Sequence, residues 1–81
     1  GVLSDDTTGR ERRTLRARFQ LVDISNDEII LDATAGSDAG IDVVSSEFAT
    51  IAAEQSALEN LSREVAAQIT TRLALALRER Q

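Results

Sequence analysis

SEFATIAAEQSALENLSREVAAQITTRLALALRER, from Ser46 to Arg80, is the stretch whose reading decides the fold. Phe48, Ile51, Leu58, Leu61, Val65, Ile69, Leu73 and Leu77 are separated by steps of three, four or seven, and at about 100° per residue such steps fall in one band. The stretch holds neither Pro nor Gly, and it is rich in Ala, Leu, Glu, Gln and Arg, which lose least on entering a helix. The pattern therefore predicts one helix over 46–80 with that band as its buried face. Ser45 or Ser46 is placed to cap its start, with Glu47 in the first turn. Arg78 and Arg80 lie in the last turn, so the charges at both ends oppose the macrodipole. Glu59 and Arg63 make an expected i, i+4 pair on the outer side. At 1.5 Å per residue the helix should be about 52 Å long, more than one small hairpin is expected to cover. Glu54 and Gln55 interrupt the band, so the first turns are expected to leave the main core or to meet a different neighbour. Leu75 lies opposite the band and is a candidate for contact with something outside.

The preceding chain reads as a β-hairpin. From Arg13 the alternation is strict: Leu15, Ala17, Phe19 and Leu21 point one way, and Thr14, Arg16, Arg18 and Gln20 the other. Asp23, Ile24, Ser25, Asn26 and Asp27 then supply turn formers for a loop of about five residues. In the second strand Ile29, Leu31, Ala33, Ala35, Ser37, Ala39, Ile41 and Val43 share a face, opposite Ile30, Asp32, Thr34, Gly36, Asp38, Gly40 and Asp42. Gly36 and Gly40 are expected to mark a bulge or bend. If Leu21 faces Ile29, then Phe19 meets Leu31, Ala17 meets Ala33, Arg18 meets Asp32 and Arg12 meets Asp38. The fold class expected is α+β: an antiparallel hairpin over 12–44, part of a small sheet, covered by one long C-terminal helix. Residues 1–11 read as a connector or strand end, and 1–81 as a single domain or the C-terminal part of one.

Composition excludes much chemistry. With no Cys and no His there is no thiol nucleophile, no Ser/His relay, no zinc site of the usual kind and no disulfide. No carboxylate falls in an expected apolar pocket where it would serve as acid or base, so the chain reads as no enzyme, and no cofactor is expected. Asp38 and Asp42 faintly resemble a calcium loop, but their spacing fits no ligand pattern and strand alternation explains them, so no metal site is expected. No apolar run is long enough to span a membrane. The chain has no signal peptide and begins at Gly1 rather than Met, which suggests a mature or trimmed product.

Formal net charge is −5, and every base is Arg. Arg10, Arg12, Arg13, Arg16 and Arg18 crowd one segment, whereas 23–64 is strongly acidic. Guanidinium groups at alternate strand positions project from one face and offer forked donors to phosphate or carboxylate. The competing reading is a solvated face satisfied by Asp32 and Asp38. Nucleic acid is not an expected partner, because stacking aromatics are missing and the net charge is wrong. The helix band is open to a second use, as a stripe for self-association or for a partner helix, which would make the chain a small structural adaptor.

With the hairpin leading into Val43, Val44, Ser45, Ser46, Glu47, Phe48, Ala49 and Thr50, then Ala53, Glu54 and Gln55, and later Arg63, Glu64, Ala66, Ile69, Arg72, Leu73, Ala74 and Leu75, the chain resembles the C-terminal part of the lipopolysaccharide-assembly lipoproteins of the LptE type, in their alphaproteobacterial form. Phe19, Gln20, Leu21, Val22 and Asp23 match the strand end that precedes that family's hairpin. The resemblance covers about 1–78 and rests on the combination of strand, hairpin, SEFAT and TRLAL. It implies two helices packed on a small, mostly four-stranded sheet. It also implies a non-enzymatic role as the plug-like partner of LptD, the outer-membrane β-barrel that inserts lipopolysaccharide, on the periplasmic side of the outer membrane. Arg12, Arg16 and Arg18 would then face lipopolysaccharide phosphates or barrel carboxylates. Family members are anchored by a lipidated N-terminal Cys. This chain lacks that Cys, and it also lacks the first strand and first helix. Ser45 stands where Asp is common, and Ile41 with Asp42 replaces an aromatic and Asn pair.

Overall fold

The computed structural model describes residues 9–80. Of the expected connector at 1–11, residues 1–8 lie outside the described residues. Alternating apolar and charged residues form strand β1, Gly9–Asp23, and strand β2, Glu28–Val43, which pair antiparallel as a two-stranded sheet. Helix α1 then runs Glu47–Glu79 and packs on one face of the hairpin. The fold is α+β, as the pattern predicts, in two layers.

The helix does not outrun the hairpin, which corrects the expectation from its length. At about 1.5 Å per residue its 33 residues span about 50 Å. At about 3.3 Å per residue the 16 residues of β2 reach about 53 Å. Two elements of equal length lie side by side, and the molecule measures 63 × 17 × 16 Å.

Local chemistry fixes the ends. Ser46 is the N-cap, its hydroxyl accepting from the Ala49 N–H at 3.2 Å. Thr50 Oγ1 accepts from the Val44 N–H at 3.4 Å, which ties the connection to the first helical turn. At the far end Arg80 reaches back to Asp23 and Glu28 at 3.6 and 3.5 Å. Glu54, which interrupts the band, accepts from Arg13 of β1 at 2.7 Å. A polar residue in the seam thus meets a cation on the strand beneath it. The expected Glu59–Arg63 pair is replaced by Arg63 donating to Asn60 Oδ1 at 3.0 Å.

The core is narrower than the apolar band. Ala35, Ile41, Ala57, Leu61, Val65 and Ala76 are buried, and Leu61 is 2% exposed. Ile69 and Leu73 are half-buried, whereas Phe48, Ile51, Leu58 and Leu77 of the expected face are exposed. Ala57, Leu61, Val65 and Ile69 follow steps of four, and each such step rotates about 40° around the helix. The contact line drifts in the way a straight helix must drift over a twisted hairpin. Leu75 is 48% exposed, on the outer side as expected.

The faces of the hairpin follow the alternation, but its register does not. Leu21 pairs with Leu31, Phe19 with Ala33, Ala17 with Ala35, Arg18 with Thr34 and Arg12 with Gly40. Every pair is two residues from its expected position. The cause is the loop. Four residues, Ile24 to Asp27, turn the chain, with Asp27 at φ 59°. Asp23 Oδ1 accepts from the Ser25 N–H at 3.0 Å, and Asn26 Oδ1 from the Glu28 N–H at 3.0 Å. An irregularity then follows between Leu21 and Val22, where Ile30 is the extra residue on β2. That bulge sends Ile29 to the solvent face, 54% exposed, and leaves Ile30 half-buried. Pairing runs unbroken through Gly36 and Gly40, so the bulge expected there lies elsewhere.

Candidate functional site

The solvent face of the hairpin gathers the charged residues. Alternation on β1 puts Arg10, Arg12, Arg16 and Arg18 in one row, about 7 Å apart for each two residues. Three of these have carboxylate partners on β2. Arg10 meets Asp42 at 3.1 Å, Arg12 meets Asp38 at 3.3 Å, and Arg18 grips Asp32 with Nε at 3.1 Å and an Nη at 2.7 Å. The two expected pairs, Arg12–Asp38 and Arg18–Asp32, therefore form, but diagonally, because a register shift of two residues keeps each side chain on its face and within reach of the next neighbour, whereas Arg10 and Asp42 lie directly opposite each other. Gln20 donates to Asp32 as well, at 3.1 Å.

Arg16 differs. Its cross-strand neighbour is Gly36, and among the described residues no carboxylate lies within ion-pairing distance of it. Of the three candidates, Arg12 and Arg18 are partnered and Arg16 is open. The two glycines explain the bed on which the row lies. A Cβ on Gly36 would come within 3.2 Å of Arg16 Cγ, and one on Gly40 would collide with the Arg10 guanidinium. They make room for arginine stems.

The bulge adds a feature that alternation alone could not reveal. It brings Ile29 opposite Val22 on the same face as the arginine row. With Ile24 at the loop tip, 92% exposed, these residues form an aliphatic end beyond Arg18 and Gln20. One face thus presents guanidinium groups and, next to them, exposed aliphatic side chains. That arrangement suits a ligand that is anionic in one part and apolar in another.

Arg18 and Gln20 hold the Asp32 carboxyl below the usual range, with the Arg18 hydrogen bond the larger cause. The Ser25 hydroxyl and N–H, with Arg80, do the same for Asp23. A lowered carboxyl contributes stability that is present above its unfolded value and is lost as pH falls through its folded one. The chain should therefore hold its thermal midpoint down to the ordinary Asp value of 3.8 and lose it below. Asp32→Asn should flatten that acid limb, as measured by thermal unfolding across the pH series.

The helix layer offers a different surface. A shallow groove of about 360 Å³ beside β2 is lined by Thr34, Ala35, Ala67, Gln68, Thr71 and Arg72. Its lining holds the Thr34 and Thr71 hydroxyls and Arg72, and no carboxylate. Among the described residues no group of His, Cys, Asp and Glu is arranged to hold a metal ion, and no helix is long and apolar enough to cross a membrane.

Compared with known proteins, residues 1–73 match the family model LptE, described as lipopolysaccharide-assembly. No curated protein and no solved structure matches the chain.

Proposed function

The chain belongs to the LptE family of lipopolysaccharide assembly, and from that premise we propose that it is a non-enzymatic assembly factor on the periplasmic side of the outer membrane, partner to the LptD barrel. Its hairpin and helix work as one unit. The helix is scaffold, and the arginine face of the hairpin is the contact surface for lipopolysaccharide phosphates or for barrel carboxylates.

One observation carries this reading: open Arg16 lies between the partnered Arg12 and Arg18, on a face that ends in the aliphatic Val22 and Ile29. Phosphate oxygens fit a guanidinium fork, and acyl or other apolar parts fit the aliphatic end. The flanking ion pairs are surface pairs, with the Arg12 and Arg18 side chains 75% and 72% exposed, and exposed pairs exchange readily for a stronger anion.

Replacing Arg12, Arg16 and Arg18 by Ser should weaken lipopolysaccharide binding about tenfold or more at low salt, since charge-assisted bonds to phosphate are the strong ones. Helix content by circular dichroism should stay unchanged. Arg16→Ser alone should produce the largest single loss. Binding equal to that of the parent chain at low salt would sink the assignment.

A second reading rests on Phe48, Ile51, Leu58 and Leu77, exposed on the helix: a small adaptor whose helix pairs with itself or with a partner helix. Light scattering separates the two readings. A dimer dispersed by Leu58→Ser would favour the adaptor.

A further inference from the structure

The arginine row follows one diagonal rule. Arg12 lies opposite Gly40 and reaches Asp38, two residues earlier on β2, and Arg18 lies opposite Thr34 and reaches Asp32, again two residues earlier. Arg10 leans the same way, since its guanidinium fills the space above Gly40, two residues before its opposite number Asp42. Arg16 lies opposite Gly36, so the same step leads it to Thr34. A threonine therefore stands where the neighbouring arginines find a carboxylate.

That slot is built into the hairpin itself. It is a hollow of about 400 Å³ on the charged face, with Thr14, Arg16, Thr34, Gly36 and Asp38 in its lining. It lies over the β1–β2 ladder and depends on neither outer edge. The helix pins its floor, because the Gln68 side chain accepts from the Gly36 N–H at 3.1 Å and donates to the Gly36 carbonyl at 2.9 Å, which also closes the outer edge of β2 at that point. Beside it Ser37 donates to Glu64 at 2.6 Å. Asp38, the carboxylate on the wall, is held by Arg12 at 3.3 Å, so it leaves the Arg16 guanidinium to an incoming anion.

The shape of that anion follows from the donors around it. A carboxylate is planar, and one guanidinium fork satisfies both its oxygens, as Arg18 does for Asp32. A phosphate monoester presents three terminal oxygens around a tetrahedral phosphorus, so a single fork leaves one of them without a donor. Thr14, two residues before Arg16 on β1, and Thr34, across the ladder on its other side, both carry hydroxyls on the exposed face, and a hydroxyl can donate to that remaining oxygen. We propose that Arg16, Thr14 and Thr34 form a subsite for one phosphate monoester, and that Thr34 is the residue that reserves Arg16 for a phosphate rather than for a carboxylate of the chain itself. The inference rests on the reading of the arginine face as the contact surface, and it narrows that reading to phosphate at one position.

The test uses the whole 81-residue chain and its Thr34→Asp, Thr34→Val and Arg16→Ser variants, each titrated with inorganic phosphate, acetate and purified lipopolysaccharide while amide spectra are recorded. In the parent chain phosphate should shift Thr14, Arg16 and Thr34 at lower concentration than acetate does. Thr34→Asp puts a carboxylate in the slot and should weaken phosphate at least about tenfold, as Arg16→Ser does, although no arginine is lost. Thr34→Val keeps a strand-favouring residue and removes only the hydroxyl, so it should weaken phosphate about threefold and leave acetate unchanged. It also keeps the test open if Thr34→Asp fails to fold, which circular dichroism reports. Lipopolysaccharide that weakens in step with phosphate supports a lipid-borne phosphate as the ligand, whereas a loss confined to inorganic phosphate supports the same subsite with free phosphate as its source. Phosphate binding to Thr34→Asp equal to that of the parent, an equal loss of phosphate and acetate in Thr34→Val, or no shift at Arg16 overturns the proposal. Failure of the wider reading looks different: replacing Arg12, Arg16 and Arg18 together then leaves lipopolysaccharide binding intact, whereas failure of the subsite alone preserves that loss and spares Thr34→Asp.

Discussion

Leu61→Ala should leave the chain largely unable to hold its helix on the hairpin. Leu61 is the largest fully buried side chain, 2% exposed, and truncating a buried leucine costs about 2–5 kcal/mol. A domain of this size has roughly 4–12 kcal/mol in total at about 0.05–0.15 kcal/mol per residue. The loss is a large share of that. With a urea slope of about 1–2 kcal/mol/M, the unfolding midpoint should fall by about 1–5 M. Leu58→Ala is the matched control, three residues away and more than half exposed, and its midpoint should barely move. Equal effects at the two positions would mean that the helix sits on the hairpin by a different face.

Gln68→Ala should change association more than stability. The Gly36 hydrogen bonds it removes are exposed, so water replaces them and the net cost is about 1 kcal/mol. The freed edge is the larger consequence. β2 carries Asp32, Asp38 and Asp42 on the face where β1 carries its arginines, so an opened β2 edge matches in charge the outer edge of β1 in another copy of this 81-residue chain, where β2 is the one strand partner of β1 among the described residues. Contacts of that kind are head-to-tail and do not close. Light scattering should show mass rising with concentration in the variant relative to the parent chain, and falling again with added salt. Gln68→Glu, which still accepts from the Gly36 N–H but cannot donate to its carbonyl, should lie between. An unchanged mass for Gln68→Ala would show that something other than this side chain closes the edge.

The elements and their faces were legible in the sequence because they depend on periodicity. Leu15, Ala17, Phe19 and Leu21 lie on the half-buried face, and Ser46 caps the helix. The register was not legible. It is set by whether the loop closes over four residues or five and by one extra residue at Ile30, and either choice leaves the alternation intact. The ion pairs survived the shift because long arginine side chains reach a carboxylate two residues along. Large apolar residues marked the helix band, yet Ala57 and Ala76 are buried while Phe48 is 83% exposed. Close approach of a helix to a sheet favours small residues, and a reading weighted by size passes over them. Nothing in the sequence singled out Gln68, whose role appears only once Gly36 lies beside it. The aliphatic end of the arginine face depends on the bulge, so Val22 and Ile29 carried no signal before the register was known.

Amide spectra of the chain titrated with purified lipopolysaccharide test the central claim most directly, because they report where the ligand sits as well as whether it binds. Shifts should concentrate at Arg12, Arg16 and Arg18 and extend to Val22 and Ile29, leaving Leu61 and Val65 in place. Shifts confined to Phe48, Ile51, Leu58 and Leu77, with the hairpin face silent, would contradict the account and move the function to the helix.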